Sequence, residues 1–108
     1  MADVGRRVAQ CALRDASDPV IIGRVADSLA LVHHLPSYNF SDFEYRREDI
    51  LRRYRPTHFE ALSNAEMQEC LSLFPERFRG AEMVFSAPLL RNYYTGEPLR
   101  LYRLRPGA

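Results

Sequence analysis

Lysine is missing from this chain. All fifteen basic residues are arginine, and with fourteen acidic residues they leave a net charge of +1. A molecule so nearly neutral has no overall field to draw it onto nucleic acid or anionic lipid. A GC-rich coding sequence explains the missing lysine as bias in codons. Selection for the planar guanidinium fork, which matches carboxylate and phosphate, is the functional alternative. Arginine replaces lysine in apolar and polar stretches alike, which favours the first reading.

Other absences narrow the chemistry. No apolar run approaches the ~18 residues of a membrane span, and the N-terminal Arg6-Arg7 pair is not followed by the apolar stretch of a secretory signal. The two cysteines, Cys11 and Cys70, are far apart and form no CxxC. Each falls on an apolar helical stripe, where a free thiol behaves as a small hydrophobe. A reducing, cytoplasmic setting is therefore expected. The five glycines are scattered and build no phosphate-binding loop. HExxH and GxSxG are absent too. The histidines are His33, His34 and His58. Only Cys70 with His58 is conceivable as a nucleophile pair, and a cysteine on a core stripe is normally inert. Neither an enzyme nor a cofactor nor a metal site is expected.

The composition that remains is that of one globular domain of 108 residues, with 46% hydrophobic and 27% charged side chains. Val4, Val8, Cys11 and Ala12 make one helical stripe over about 4–16. Asp18-Pro19 reads as an N-cap and first helical position, opening a strongly apolar helix over about 18–35. Pro36 limits that helix. Ser41-Asp42-Phe43-Glu44 is a capping box that starts a helix over 42–54. Thr57-His58-Phe59-Glu60 repeats the spacing and predicts a short helical turn over about 57–62. Ser63-Asn64-Ala65-Glu66 opens a helix over 64–74, with Met67, Cys70, Leu71 and Phe74 on one face. From residue 81 the pattern turns to strands, and Gly96 supplies a turn. The prediction is a β-hairpin over about 82–104, in which 82–91 pairs with 98–104 and Pro88 marks a bulge or an edge. The fold class expected is α+β, with about four helices followed by a C-terminal hairpin.

Two arginine clusters are the candidate contact surfaces. The first is FEYRREDILRRYRP, with Arg46, Arg47, Arg52, Arg53 and Arg55. Glu44 precedes Arg47 by three residues, Glu48 precedes Arg52 by four and Asp49 precedes Arg53 by four, so local ion pairs serve three of the five. A solvated helix laced with such pairs is the plain reading. The second cluster is Arg91, Tyr93, Tyr94, Arg100, Tyr102 and Arg103. In LRLYRLR, alternation puts Leu99, Leu101, Arg103 and Arg105 on one face and Arg100, Tyr102 and Leu104 on the other. A ribbon showing arginine and tyrosine suits a protein interface. It also suits stacking on nucleic acid, or a terminal hairpin half-packed on the helices.

The element order resembles a winged helix, but the helix over 64–74 carries Glu66 and Glu69 and no base, which is unfavourable beside phosphates. GEPLRLYRLRPG resembles, over about a dozen residues, a strand pattern of small ribosome-dependent toxin endoribonucleases; no activity is carried over from it. The function expected is binding of another protein through the second cluster. One form would be a small inhibitor or accessory factor, such as a phage-encoded protein that blocks a host or defence complex. A nucleic-acid-binding regulator is the alternative, and a homo-oligomer joined through hairpin edges is a third possibility.

Overall fold

The computed structural model describes residues 2–23, 36–40, 44–88 and 96–105. In chain order these form α1 (Ala2–Asp15), β1 (Ile21–Gly23), β2 (Ser37–Asn39), α2 (Glu44–Tyr54), β3 (His58–Ala61), α3 (Asn64–Leu73), α4 (Pro75–Phe78), β4 (Glu82–Ala87) and β5 (Leu99–Arg103). The five strands make one mixed sheet in the order β2-β1-β3-β5-β4. β1 runs parallel to both β2 and β3, while β5 runs antiparallel to both β3 and β4.

The α+β class holds, but the strands are interspersed with the helices. The run Pro19-Val-Ile-Ile opens a strand where a helix over 18–35 was expected. Ile21, Ile22 and Gly23 are all buried, as befits a central strand covered on both faces. Residues 24–35 lie outside the described residues. The predicted turn over 57–62 is also a strand. Its alternation wins over its capping-box spacing because both neighbouring strands offer backbone partners: His58 pairs with Ile21 and with Arg103. The elements expected at 4–16, 42–54 and 64–74 are α1, α2 and α3. Proline does more than end α3. Pro75 occupies the start of the short α4, where its missing N–H costs nothing.

The pairing of 82–87 with 99–103 is as expected, and β4 is an edge strand. The bulge falls between Met83 and Phe85 rather than at Pro88. The extra residue, Val84, lets both Val84 and Phe85 pack toward the same core. β5 is not an exposed ribbon, because β3 lies on its other side.

Strand alternation sorts the apolar residues into two cores. One holds Ile21, Leu99 and Leu101 against Val8 and Ala12 of α1. The other holds Ile22, Phe59 and Leu104 against Leu51 of α2, Met67 and Cys70 of α3 and Phe78 of α4. The sheet is thus a middle layer with α1 on one face and α2, α3 and α4 on the other. In the second core the Phe59 and Phe78 rings meet edge-on at 5.2 Å between centroids, a favoured aromatic geometry.

Candidate functional site

Where α1 ends, a cleft of about 380 Å³ opens over β3, β5 and β4. Its lining includes Asp15, Thr57, His58, Glu82, Arg103 and Arg105. His58 is fully buried on β3. Its Nε2 lies 3.1 Å from Asp15 Oδ2 and its Nδ1 lies 2.8 Å from Thr57 Oγ1. Burial lowers the His58 pKa, and Arg103 adds to this, against the opposing pull of Asp15. The neutral imidazole fits these contacts when Nε2–H donates to Asp15 and Nδ1 accepts from Thr57. Thr57 Oγ1 also accepts from the Val20 N–H at 2.9 Å. The arrangement has the outline of a hydroxyl–imidazole–carboxylate relay. Its hydroxyl, however, is tied to the Val20 backbone and its imidazole has no exposed surface to offer a substrate. Chemically it is a clasp, which joins the end of α1 to β3 and to the entry of β1.

Arg103 stands on the same side, at the rim. Its guanidinium reaches Glu82 Oε2 at 2.8 Å and Asp15 Oδ1 at 3.5 Å. Arg100 donates to Glu97 Oε1 at 3.0 Å. That carboxylate also accepts from the Asn64 N–H, and the two contacts lower its pKa. Tyr102 is half-buried, its ring stacked with Phe59 at 6.4 Å. Arg91, Tyr93 and Tyr94 lie outside the described residues.

The arginines of α2 are on the opposite face of the sheet from Arg103. Arg47 is buried, donates to Glu69 Oε1 of α3 at 2.6 Å and covers the Phe40 ring. Arg52 and Arg53 share Asp49 at 3.7 and 3.8 Å. The Asp49–Arg53 pair is one of the three anticipated from spacing. Arg52 meets Asp49 rather than Glu48, and Arg47 meets a carboxylate on another helix. The Glu44 side chain lies outside the described residues. The Arg46 side chain lies outside the described residues. Arg55, just past the end of α2, has a left-handed backbone (φ 46°).

A different set of arginines is left over. Among the described residues Arg7, Arg14, Arg55, Arg77, Arg79 and Arg105 form no ion pair. Arg77 has its Nε buried without a hydrogen bond. Its pKa is lowered by burial first and by the like charge of Arg55 second. Arg77 also lines a groove of about 350 Å³ between α2 and the α3–α4 corner, with Leu51, Leu73, Phe74 and Pro75. Sequence reasoning passed over Arg77. The signal was slight: FPERFRG has two arginines to one glutamate, and Phe78 between them is a core residue.

Burial pushes the Cys70 thiol up to about 12. Cys70 packs in the core beneath α2 and α3, and His58 is clasped to Asp15 on the α1 side, so the two are not a nucleophile pair. Among the described residues no three His, Cys, Asp or Glu side chains gather as a metal site, and no helix is long and apolar enough to cross a membrane. No family model, curated protein or solved structure matches this chain.

Proposed function

We propose that this is a non-enzymatic protein that binds another protein, acting as an inhibitor or accessory factor. The observation that supports this reading is how its arginines are used. Arg47, Arg52, Arg53, Arg100 and Arg103 each face a carboxylate of their own chain, and the arginines of α2 lie across the sheet from Arg103. A polyanion reader needs several uncompensated cations along one track. Guanidiniums set among apolar and aromatic side chains, with carboxylates interspersed, are the makings of a protein interface. His58 and Cys70, the candidate catalytic groups, are buried in separate layers.

The test is fluorescence anisotropy with labelled duplex and single-stranded oligonucleotides at about 50 and about 200 mM salt. The expected result is no saturable binding at either. Tight binding that weakens steeply between the two concentrations would establish the nucleic-acid reading instead.

A further inference from the structure

Arg77 is half-buried and forms no ion pair among the described residues. Its Nε is shut off from solvent and makes no hydrogen bond. Burial lowers its pKa first, and the like charge of Arg55 lowers it further. A buried donor left unpaired is costly and is normally satisfied. Beside it the groove between α2 and the α3–α4 corner has an apolar floor of Leu51, Phe74 and Pro75. Leu73 on its wall is 44% exposed, although it is a large aliphatic side chain. The volume, about 350 Å³, falls within the range of pockets that take a few side chains.

We propose that this groove docks a short apolar segment of a partner protein that carries a carboxylate, with the apolar side chains on Leu51, Leu73 and Phe74 and the carboxylate accepting from Arg77. The inference rests on the protein-binding reading and names the chemistry of the partner. Charge complementarity selects the occupant. A guanidinium fork binds a carboxylate through two parallel hydrogen bonds, and the Arg55–Arg77 repulsion is relieved by one negative charge. The groove also carries Glu48 and Glu76, and Arg52 shares Asp49 with Arg53. The two glutamates allow a single carboxylate beside Arg77 but repel a run of phosphodiesters. An apolar floor offers a phosphate backbone nothing.

The experiment is selection of a displayed random dodecapeptide library against the full-length chain. Enriched peptides are then synthesised and measured by fluorescence anisotropy against the wild type, Arg77→Gln, Leu73→Asp and the double variant Tyr94→Ala/Arg100→Ala. The expected peptides carry Asp or Glu between apolar residues. Arg77→Gln should weaken them about tenfold or more, as loss of a charge-assisted pair does. Changing the peptide's acid to its amide should cost the same on the wild type and almost nothing on Arg77→Gln, the signature of direct coupling. Leu73→Asp should abolish binding while leaving the thermal midpoint near that of the wild type, since Leu73 is exposed. The double variant should bind normally. Peptides without an acid, or insensitive to Arg77, would overturn the groove assignment and leave protein binding standing. Loss of binding in Tyr94→Ala/Arg100→Ala alone would move the contact to the C-terminal strands. Failure to enrich any peptide overturns the docking inference outright, and oligonucleotide binding alongside that failure would remove the protein-binding reading too.

Discussion

The imidazole of His58 lies between Asp15 Oδ2 at 3.1 Å and Thr57 Oγ1 at 2.8 Å, with no surface exposed. Two elements 43 residues apart in sequence are thereby held at one point beneath the end of α1. The clasp has a sign with pH. Burial depresses the folded-state pKa below the ordinary value of 6.5, and Arg103 adds to it, while Asp15 opposes both. The unfolded chain therefore binds this proton more readily than the folded one. The contribution is fully present above about pH 6.5 and is lost as pH falls toward the folded-state value. Urea denaturation of the wild type should show stability declining from pH 7 toward pH 5. In His58→Gln that part of the slope should vanish, whatever the variant loses at pH 7. An unchanged slope would mean that His58 is not protonated less readily in the fold.

Gly23 closes β1 against Glu60 of β3. A Cβ placed on Gly23 would run into both the Glu60 backbone carbonyl and its carboxylate. Glu60 is fully buried and the strands are in register there, so neither backbone has room to retreat. Gly23→Ala should cost on the order of 1–3 kcal/mol through overpacking, read as a lower urea midpoint at unchanged slope. Exposed Gly96 has nothing within 4 Å of such a Cβ, but its φ of 73° is left-handed. Gly96→Ala should therefore lose stability through backbone strain alone.

These cases show what a linear reading can reach. Leu99 and Leu101 against Tyr102 and Leu104 was legible because a period of two is written into adjacent residues. Helices α2 and α3 were legible from their capping spacings and the prolines beyond them. Val20-Ile21-Ile22 was not, since a short β-branched run reads equally as buried helix or buried strand, and one of its two partner strands, β3, is far away in sequence. The same division runs through the charges. Asp49–Arg53 is an i,i+4 pair and could be anticipated. Arg47–Glu69 and Arg103–Asp15 span 22 and 88 residues, so only the assembled surface reveals them. Arg77 is conspicuous for what it does not meet, and no sequence window can state that.

The cysteines give a chemical check on the layers. Cys11 packs on the α1 side of the sheet and Cys70 within the core on the other. Both are free thiols. Air oxidation of the native chain should produce no intramolecular disulfide. With its pKa at about 12, Cys70 is ionised to only about one part in ten thousand at pH 8, so its alkylation should be suppressed about a thousandfold relative to an ordinary thiol. Iodoacetamide followed by mass spectrometry should find Cys70 unmodified in the native chain and modified in urea. Half-exposed Cys11, whose Sγ meets the Val84 carbonyl at 3.6 Å, should react slowly in both the presence and absence of Cys70.

The far end of α3 carries the wall of the proposed groove, and the cap at its start secures the same helix. Ser63 Oγ accepts from the Glu66 N–H at 3.2 Å, and the Glu66 carboxylate accepts from the Leu62 N–H at 3.2 Å. Ser63 is 4% exposed, so water cannot replace its hydroxyl. Ser63→Ala should cost about 1–2 kcal/mol, toward the upper end for a lost N-cap. Glu66→Ala should cost a comparable amount. The double variant should lose less than their sum, because both side chains secure one helix start and contacting residues are not additive. Equilibrium urea unfolding of the two single variants and the double variant gives the three numbers. Leu73 and Phe74, at the far end of α3, are held by the Phe74 N–H to Cys70 carbonyl bond of 2.8 Å. Peptide affinity should therefore survive Ser63→Ala under conditions where the chain is folded. Loss of affinity with the fold intact would place the contact at the N-terminal end of α3, beside Glu97 and Arg100.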